Sequence, residues 1–479
     1  MIKRQGVKAI RFINKLFYKK KSLSGKGHYD SLPSEIVKFF NQTRPLGPQK
    51  YLCYAPFKMM YFAFNGEVIA CCHNRKKIMG RYPEQNIDQI WNGQEYNKLR
   101  DFIMHDDLSY GCDVCKYALI SRNFDGAKNS LYDRYKIKNY PQVLEFELEN
   151  RCNLECIICN PIFSSSLDKE GEYQNSVYDD NFIEQIKPFL KRAKETKFYG
   201  GEPFLISKYY DIWEYLIKKN KRAKILVQTN GTVLNDKVKN ILERGRFSIN
   251  ISFDSFEKES FEKIRKNANF EKSIENLEYF HNYCKRKNTH LGIIPTPNRE
   301  NVLQLADIVR HANKLKAKVY FNTLISPFEL ALWNLEKDKL AEIIEKLSAE
   351  NLPYKTNIEN DNYRHFQDFI TQLKAWENEP NKENNGKIKI SFAETQNDKE
   401  MSFQILENRL KHDEQFLIKD VEKVYKELDT NNSQIALFTL MKSVPIEDVL
   451  FELRKNDIEN LKKIISKKIY EARNLYEIE

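Results

Sequence analysis

The sequence predicts an α/β protein with a parallel sheet, because short β-branched and aromatic runs alternate with amphipathic helical stretches between residues 142 and 325. Strands separated by helices in this way form parallel sheets, either doubly wound or closed into a partial barrel. Ligand sites in such sheets lie at the carboxyl ends of the strands. The six predicted strands are Val143–Leu148, Lys197–Tyr199, Ile225–Gln228, Ser248–Phe253, Leu291–Ile294 and Val319–Phe321.

A cysteine-bearing, turn-rich segment precedes the predicted sheet. The Asn65-Gly66 turn between Tyr61–Phe64 and Val68–Ile69 predicts a small hairpin. A helix follows it, and its apolar positions are Ile87, Ile90, Trp91 and Leu99.

The region after the predicted sheet is expected to be mainly helical. Residues 335–380 place apolar side chains on one helical face, and a short strand is predicted at Ile388, Ile390 and Phe392. The Lys/Glu-rich remainder, to residue 479, predicts further amphipathic helices and carries no motif to which we can attach chemistry. We therefore divide the chain into a tail (1–50), a cysteine-rich domain (51–140), an α/β domain (141–335) and a helical region (336–479).

The net charge of +11 belongs to the tail. Residues 1–50 contain 12 Lys and Arg against two acidic residues, whereas the remaining 429 residues contain 66 basic and 65 acidic side chains. A balanced body argues against a nucleic-acid-binding module, which needs a basic surface. Residues 2–17 have the pattern of a basic amphipathic helix, which is typical either of a solvated tail or of contact with an anionic membrane surface or acidic partner.

The chain is expected to stay in the cytosol. No run approaches the 18 or more apolar residues of a membrane span, and Lys and Arg interrupt the N-terminus where a secretory signal needs an apolar core. Eight of the nine cysteines lie in two groups, which in a reducing compartment indicates metal ligation or catalysis. The ninth, Cys284, is interpreted as a structural thiol.

Three cysteines stand in one loop directly after the first predicted strand. Cys152, Cys156 and Cys159 have the spacing Cys-x3-Cys-x2-Cys. Closed zinc and iron–sulfur sites take four protein ligands, so three ligands leave one metal position open for chemistry. The alternative is a structural zinc site completed by a distant residue.

A Gly-Gly-Glu-Pro turn, residues 200–203, stands at the end of the second predicted strand. Two glycines let the backbone approach a ligand closely, and Glu202 can accept a hydrogen bond from an ammonium group. The three-cysteine loop and this turn together resemble the radical S-adenosylmethionine (radical SAM) superfamily. The resemblance implies a partial (β/α)6 barrel.

The resemblance also implies the cofactors and their ligands. Cys152, Cys156 and Cys159 would bind three irons of a [4Fe-4S] cluster, and SAM would chelate the fourth. A reduced cluster would cleave SAM to a 5′-deoxyadenosyl radical that abstracts a substrate hydrogen, with electrons from a donor such as flavodoxin or ferredoxin. One departure is Ile158, where the family often has an aromatic residue. The residues implied to bind SAM are Gly200, Gly201, Glu202, Thr229, Asn230, Ser252, Asp254 and Ile293.

The second cysteine group consists of Cys53, Cys71, Cys112 and Cys115, with Cys72 as an alternative to Cys71 and His73 as a further candidate. Four cysteines suit a closed [4Fe-4S] cluster or a zinc ion equally well by count. The spacing of Cys53, Gly66 and Cys71 resembles the SPASM/twitch domain, which favours one auxiliary [4Fe-4S] cluster over zinc. Here the domain precedes the barrel, although it usually follows.

We therefore expect a radical SAM oxidoreductase or transferase acting on a peptide, a protein or a small molecule. The alternative is a non-catalytic iron–sulfur or zinc protein that serves as a scaffold or electron carrier. The Gly-Gly-Glu-Pro turn separates the two hypotheses, since a mere metal module needs no SAM-binding turn. The sequence names neither the substrate nor a catalytic acid, base or hydrogen donor.

Overall fold

The computed structural model describes residues 29–378 except 121, 123, 125, 126 and 172–175. The predictions for residues 1–28 and for the strand and helices after residue 378 lie outside the described residues. The described residues divide into two units: one contains the sheet and comprises residues 29–332 together with Ile343–Leu373, and the other comprises Trp333–Glu342 and residues 374–378.

A nine-stranded sheet forms the centre of the first unit, and its order is β3-β2-β1-β4-β5-β6-β7-β8-β9. All neighbouring strands from β4 to β9 pair in parallel. Each of the six strands predicted between residues 142 and 325 overlaps one of them, so the predicted α/β class is confirmed. The strands are β1 Met59–Phe62, β2 Glu67–Ile69, β3 Ile78–Arg81, β4 Val143–Phe146, β5 Glu195–Phe198, β6 Lys224–Thr229, β7 Phe247–Ile251, β8 Leu291–Ile293 and β9 Lys318–Val319.

Helices follow the strands as the alternation predicts. The helices are α1 Ser34–Thr43, α2 Ala55–Lys58, α3 Ile87–Asn92, α4 Gln94–Met104, α5 Asp113–Ile120, α6 Asp180–Leu190, α7 Ser207–Lys219, α8 Asp236–Arg244, α9 Lys258–Ile264, α10 Phe270–Lys287, α11 Leu305–Lys314, α12 Lys337–Ser348 and α13 Asn357–Glu377. No helix among the described residues is both long and apolar enough to cross a membrane.

The predicted hairpin is present and joins the parallel sheet. β1 and β2 pair antiparallel around the turn, where Gly66 has φ +83°. The opposite edge of β1 pairs in parallel with β4, so the cysteine-rich segment and the α/β segment share one sheet. The hydrogen bonds between β1 and β4 cross the predicted boundary near residue 140. The division into two domains at this point stays a prediction.

The helix predicted around Ile87–Leu99 is two helices, α3 and α4. Gly93 separates them, and its backbone is extended (φ −72°, ψ 173°). A Cβ atom at this position would lie 2.7 Å from the carbonyl oxygen of Gln89, so glycine permits the close turn. The apolar pattern continues across this break, which is why the sequence indicates one helix.

The two faces of the sheet differ in polarity around β1, β4 and β5. Phe62, Phe146 and Phe198 stack across β1, β4 and β5, with ring centroids 5.3 and 5.1 Å apart, on the face packed against helices. Because side chains alternate along a strand, the residues between and beside them point to the other face. That face carries polar side chains: Glu145 accepts a hydrogen bond from Lys197 Nζ at 2.5 Å, and Glu147 accepts one from Arg75 Nη2. This second face, here called the inner face of the sheet, is therefore polar around β4 and β5.

Candidate functional site

The three-cysteine loop lies where the sequence predicts it, beyond the carboxyl end of β4. The loop is closed by the chain that follows it: Cys152 N donates to Ser165 Oγ at 3.0 Å, and Ser166 Oγ donates to Cys152 O at 2.8 Å. Cys152, Cys156 and Cys159 are each partly buried. The loop is therefore held in place without using the thiol groups.

Backbone hydrogen bonds attach this loop to the end of α9. Glu155 N donates to Lys266 O, and Ile157 N donates to Ile264 O, each at 3.0 Å. Between these two acceptors stands Arg265, which is buried and whose positive charge acts on Cys156 and Cys152. The sequence alone does not single out Arg265, because nothing local distinguishes it from the exposed basic residues of the preceding helix α9.

Burial raises the pKa of all three thiols, to about 11 for Cys156 and about 12 for Cys159. At Cys156 the nearby Arg265 acts in the opposite direction and Asp254 adds to the rise. The free thiols are thus protonated near neutral pH. Metal ligation requires thiolates, so loading the site must release protons.

The Gly-Gly-Glu turn packs directly on the cysteine loop. Gly201 N donates to Glu149 O at 3.2 Å, and Glu202 N donates to Arg151 O at 2.7 Å. A Cβ atom at Gly201 would lie 2.2 Å from Arg151 O, and Gly200 has φ +109°, which disfavours any side chain. Both glycines are therefore required for the turn to approach the residue that precedes Cys152.

Glu202 is fully buried and holds the end of β6. Its Oε1 accepts from Phe204 N at 3.1 Å and from Thr229 Oγ1 at 2.8 Å, while its Oε2 accepts from Asn230 N at 2.7 Å. Burial raises its pKa to about 7, although these donors act to lower it. The structure thus brings together three predicted SAM-binding residues, and the contact of Glu202 with an ammonium group stays a prediction.

Asn230 extends this network to the cysteines. Its Nδ2 donates to Asn153 Oδ1 at 3.0 Å and lies 3.9 Å from Cys152 Sγ. Thr232 donates to its Oδ1 from both the backbone N and Oγ1, which fixes the orientation of the amide. The end of β6 therefore contacts the three-cysteine loop through one oriented side chain.

The remaining predicted SAM-binding residues lie at the ends of β7 and β8. Ser252 N donates to Thr229 O at 2.9 Å, which places Ser252 beside the β6 end. Asp254 is fully buried: its Oδ1 accepts from Thr296 N at 2.6 Å, and its Oδ2 lies 2.6 Å from Arg265 Nη2. Ile293 has no exposed side-chain surface on β8. The contacts of these three residues with SAM stay predictions.

The second cysteine group lines one cavity between α2, α4 and α5. Cys53, Cys71, Cys112 and Cys115 all face it, together with His73. Cys72 does not line the cavity and is exposed. The charges that act on it are those of Glu145, Lys197 and Arg75, followed by Cys115. The structure therefore brings Cys71, and not Cys72, together with the other three.

The donor set of this cavity fits a cluster of iron and sulfide. Burial raises the pKa of Cys53 to about 12 and raises the pKa of the other three thiols, so ligation again requires loss of protons. Among the described residues, no group of three or more His, Cys, Asp or Glu side chains converges as a single ion requires. A cubane does not need that convergence, since each thiolate binds a different iron.

Two residues beside this cavity were missed by the sequence analysis. Asn74 is fully buried, and its Nδ2 donates to Cys112 Sγ and to Tyr110 O, each at 3.3 Å. Because a carbonyl oxygen can only accept, the amide must present nitrogen to this side. Lys58 is also buried, and burial lowers its pKa to about 8. The sequence signal that could have indicated a buried Lys58 is its position inside the apolar run 55–64.

Two family models match the two cysteine-bearing segments of the chain. Residues 147–312 match the family model of the radical SAM superfamily, and residues 53–116 match the model of SPASM, an iron–sulfur cluster-binding domain. The predicted order, with the cluster-binding domain N-terminal to the barrel, is confirmed. The two domains imply [4Fe-4S] clusters and SAM as cofactors.

Curated relatives cover part of the chain. A GTP 3′,8-cyclase of Clostridium perfringens (strain SM101 / Type A) is 24% identical over 172 residues, which are 34% of this chain and 50% of the relative. A GTP 3′,8-cyclase of Synechocystis sp. is 25% identical over 229 residues, which are 45% of this chain and 68% of the relative. This chain thus spans about half the length of the first of these relatives.

Solved structures match at low similarity. Native anSMEcpe with bound AdoMet is 20% identical with a TM-score of 0.32, covering 43% of this chain and 58% of that chain. Streptococcus suis SuiB bound to S-adenosylmethionine is 14% identical with a TM-score of 0.33, and the match covers 55% of this chain and 61% of that chain.

Proposed function

We propose that this chain, which carries a radical SAM domain C-terminal to a SPASM iron–sulfur domain, cleaves S-adenosylmethionine reductively and abstracts hydrogen from a substrate. The main support for this proposal is the direct packing of the Gly-Gly-Glu turn against the three-cysteine loop, in which Glu202 N donates to Arg151 O at 2.7 Å. A zinc or electron-transfer module needs the cysteines but has no use for this turn beside them.

The residues of the chain have separate roles in this proposal. Cys152, Cys156 and Cys159 hold the cluster, and the two glycines keep the backbone close enough for SAM to reach its open position. Glu202 and Asn230 hold the ends of β5 and β6 beside Cys152. The bound cluster and SAM supply the electron transfer and the radical that abstracts hydrogen. The protein orients the reactants and excludes water.

The substrate is proposed to be a peptide, a protein or a polar small molecule. The polar inner face of the sheet supports this: Glu147 accepts from Arg75 Nη2 at 2.7 Å and from Tyr61, while Glu145 is paired with Lys197. The curated relatives are named for a reaction of GTP, which makes GTP one small molecule to assay. Peptides are assayed separately.

The second site is proposed to hold a closed auxiliary [4Fe-4S] cluster that relays electrons from the oxidised substrate. Its four cysteines line one cavity, so every iron has a protein ligand and none is left for substrate. The partner proposed for the first cluster is a low-potential donor such as flavodoxin or ferredoxin. The basic tail is proposed to contact an anionic membrane surface or an acidic partner.

The test is anaerobic reconstitution followed by addition of dithionite and SAM. Iron and sulfide analysis is expected to give about eight of each per chain if both sites hold cubanes. We expect release of 5′-deoxyadenosine, measured by liquid chromatography. Replacing any one of Cys152, Cys156 and Cys159 by Ala should abolish release, because the first cluster loses a ligand.

The matched control is Cys284→Ser, which changes a buried thiol outside both cysteine groups. This variant should cleave SAM like the wild type. Intact SAM in the presence of a confirmed first cluster would contradict the proposed function and favour the scaffold or electron-carrier alternative. Four irons with one zinc ion would instead contradict the auxiliary-cluster assignment alone.

A further inference from the structure

Three charged side chains are buried beside Cys53 and leave one positive charge uncompensated. Arg44 and Asp133 form a two-pronged pair, with Nε–Oδ2 at 2.9 Å and Nη2–Oδ1 at 2.5 Å, so their charges cancel. Lys58, only 2% exposed, remains. Its Nζ donates to Tyr132 O at 2.8 Å and lies 3.7 Å from the centre of the Tyr54 ring. Within the described part of the chain, it makes no ion pair.

A buried ammonium group is costly unless an opposite charge lies near it. A carbonyl oxygen and an aromatic face supply dipoles but no negative charge. Asp133 is the first negative group that acts on Lys58, but it is already paired with Arg44, and Cys53 of the four-cysteine cavity is the second. Tyr132, whose carbonyl oxygen accepts from Lys58 Nζ, lines that cavity. Four thiolates around a cubane carry a net negative charge, which the cysteines acquire only on ligation.

We propose that Lys58 is a built-in counter-charge of the auxiliary cluster, in addition to Lys128 of the cavity wall, and raises the reduction potential of that cluster. The inference rests on the proposed [4Fe-4S] assignment of the four-cysteine site. One-electron reduction makes the cluster more negative by one unit, so a fixed positive charge stabilises the reduced form more than the oxidised form. The hydrogen bond from Asn74 Nδ2 to Cys112 Sγ acts in the same direction.

The buried cation beside the first cluster is paired, since Arg265 Nη2 lies 2.6 Å from Asp254 Oδ2. A cation without an ion pair beside the auxiliary cluster favours electron uptake there, as a relay from an oxidised substrate requires.

The experiment compares Lys58→Met, which keeps the aliphatic stem, with Lys58→Arg, which keeps the charge. The full-length chain is reconstituted anaerobically, and both clusters are titrated with dithionite and followed by electron paramagnetic resonance. The same titration in a Cys152→Ala/Cys156→Ala/Cys159→Ala background assigns the auxiliary signal. Lys50→Met is the matched control, because Lys50 lies over the Tyr51 ring but is exposed to solvent.

Lys58→Met is expected to disfavour reduction of the auxiliary cluster about tenfold, which is about 59 mV for a one-electron couple. Lys58→Arg, Lys50→Met and the potential of the first cluster should stay near the wild-type values. Loss of the auxiliary cluster in Lys58→Met with retention in Lys58→Arg, by iron analysis, also supports a counter-charge.

An unchanged auxiliary potential in Lys58→Met, an equal shift in Lys58→Arg, or loss of the cluster in both variants would overturn the proposal. Zinc in the four-cysteine site would overturn it as well, while leaving SAM cleavage at the first site untouched. Conversely, intact SAM with both clusters present would defeat the proposed function and leave the potential of the auxiliary cluster measurable. The two failures are therefore distinguishable.

Discussion

Glu202 is a buried carboxylate whose two oxygens join the ends of β5 and β6. The sequence places it correctly in a turn after a strand but predicts an ammonium group of SAM as its partner. In the structure its carboxylate also accepts from three donors of the chain itself, Phe204 N, Thr229 Oγ1 and Asn230 N, and the contact with SAM stays a prediction. Phe204 N is a local donor, two residues from Glu202. Sequence reasoning missed Thr229 and Asn230 as partners because they lie 27 and 28 residues away and meet Glu202 only through the pairing of β5 with β6.

The raised pKa of Glu202 gives the protein a defined pH dependence. Since burial raises the pKa from 4.5 to about 7, the folded chain binds this proton more tightly than the unfolded chain. The free energy of unfolding should therefore fall as the pH rises from 4.5 to 7, by up to about 3 kcal/mol. Glu202→Gln removes the titrating group, so this contribution should disappear.

The measurement is urea unfolding of wild type and Glu202→Gln, followed by tryptophan fluorescence at several pH values between about 5 and about 8, which bracket the shifted pKa. The difference between the two free energies isolates Glu202 from the other carboxyl groups. Its expected sign is a wild type that loses stability relative to the variant as pH rises. Parallel pH profiles for the two proteins would contradict the assignment.

At the scale of elements, the three-cysteine loop depends on the end of α9. Two backbone hydrogen bonds join the loop to Ile264 and Lys266, and Arg265 between them pairs with Asp254 at 2.6 Å. Both charged side chains are buried, with Asp254 fully so. The ion pair thus connects the end of β7 to the helix that supports the cysteine loop.

Arg265→Met is expected to destabilise the protein by about 3–5 kcal/mol, because it leaves the carboxylate of Asp254 buried without its partner. The double variant Asp254→Asn/Arg265→Met should recover part of this loss, since the amide that replaces the carboxylate can still accept from Thr296 N and carries no charge. Urea unfolding of the two variants and the wild type measures both effects. Equal stability of the single and double variants would exclude a charge effect.

The element scale also separates what periodicity can predict from what it cannot. Each of the six strands β4–β9 was predicted, because its β-branched and aromatic residues form a compact local run. β3 was missed, since Ile78-Met79-Gly80-Arg81 offers two apolar residues followed by a glycine. The pairing of β1 with β4 was also missed, because β1 Phe62 and β4 Phe146 are 84 residues apart in sequence and a local pattern carries no information about partners.

On the scale of the whole molecule, the charge distribution separates the tail from the body. Ten of the eleven excess positive charges belong to residues 1–50, and residues 1–28 lie outside the described structure. The radical chemistry proposed above uses residues from Cys53 onward. The proposed role of the tail, contact with an anionic surface, is therefore separable from catalysis by deletion.

Deleting residues 1–27 is expected to leave release of 5′-deoxyadenosine unchanged and to weaken binding to anionic liposomes. The reason is that surface attraction by Lys and Arg is electrostatic, so the binding that is lost should also be the salt-sensitive part. Co-sedimentation with anionic and neutral vesicles at low and high salt measures it. Loss of SAM cleavage, or liposome binding unaffected by the deletion, would refute this division.

The α/β class, the three-cysteine loop and the turn beside it follow from the sequence alone, because each depends on residues that are close along the chain. The spacing of Cys152, Cys156 and Cys159 is fixed by covalent geometry, and so is known without a structure. Three other features required the folded chain: the choice of Cys71 over Cys72, the pairing of Arg265 with Asp254, and the burial of Lys58 beside Cys53. These outcomes depend on which distant segments pack together, and burial, which sets the energy of each charge, exists only after that packing.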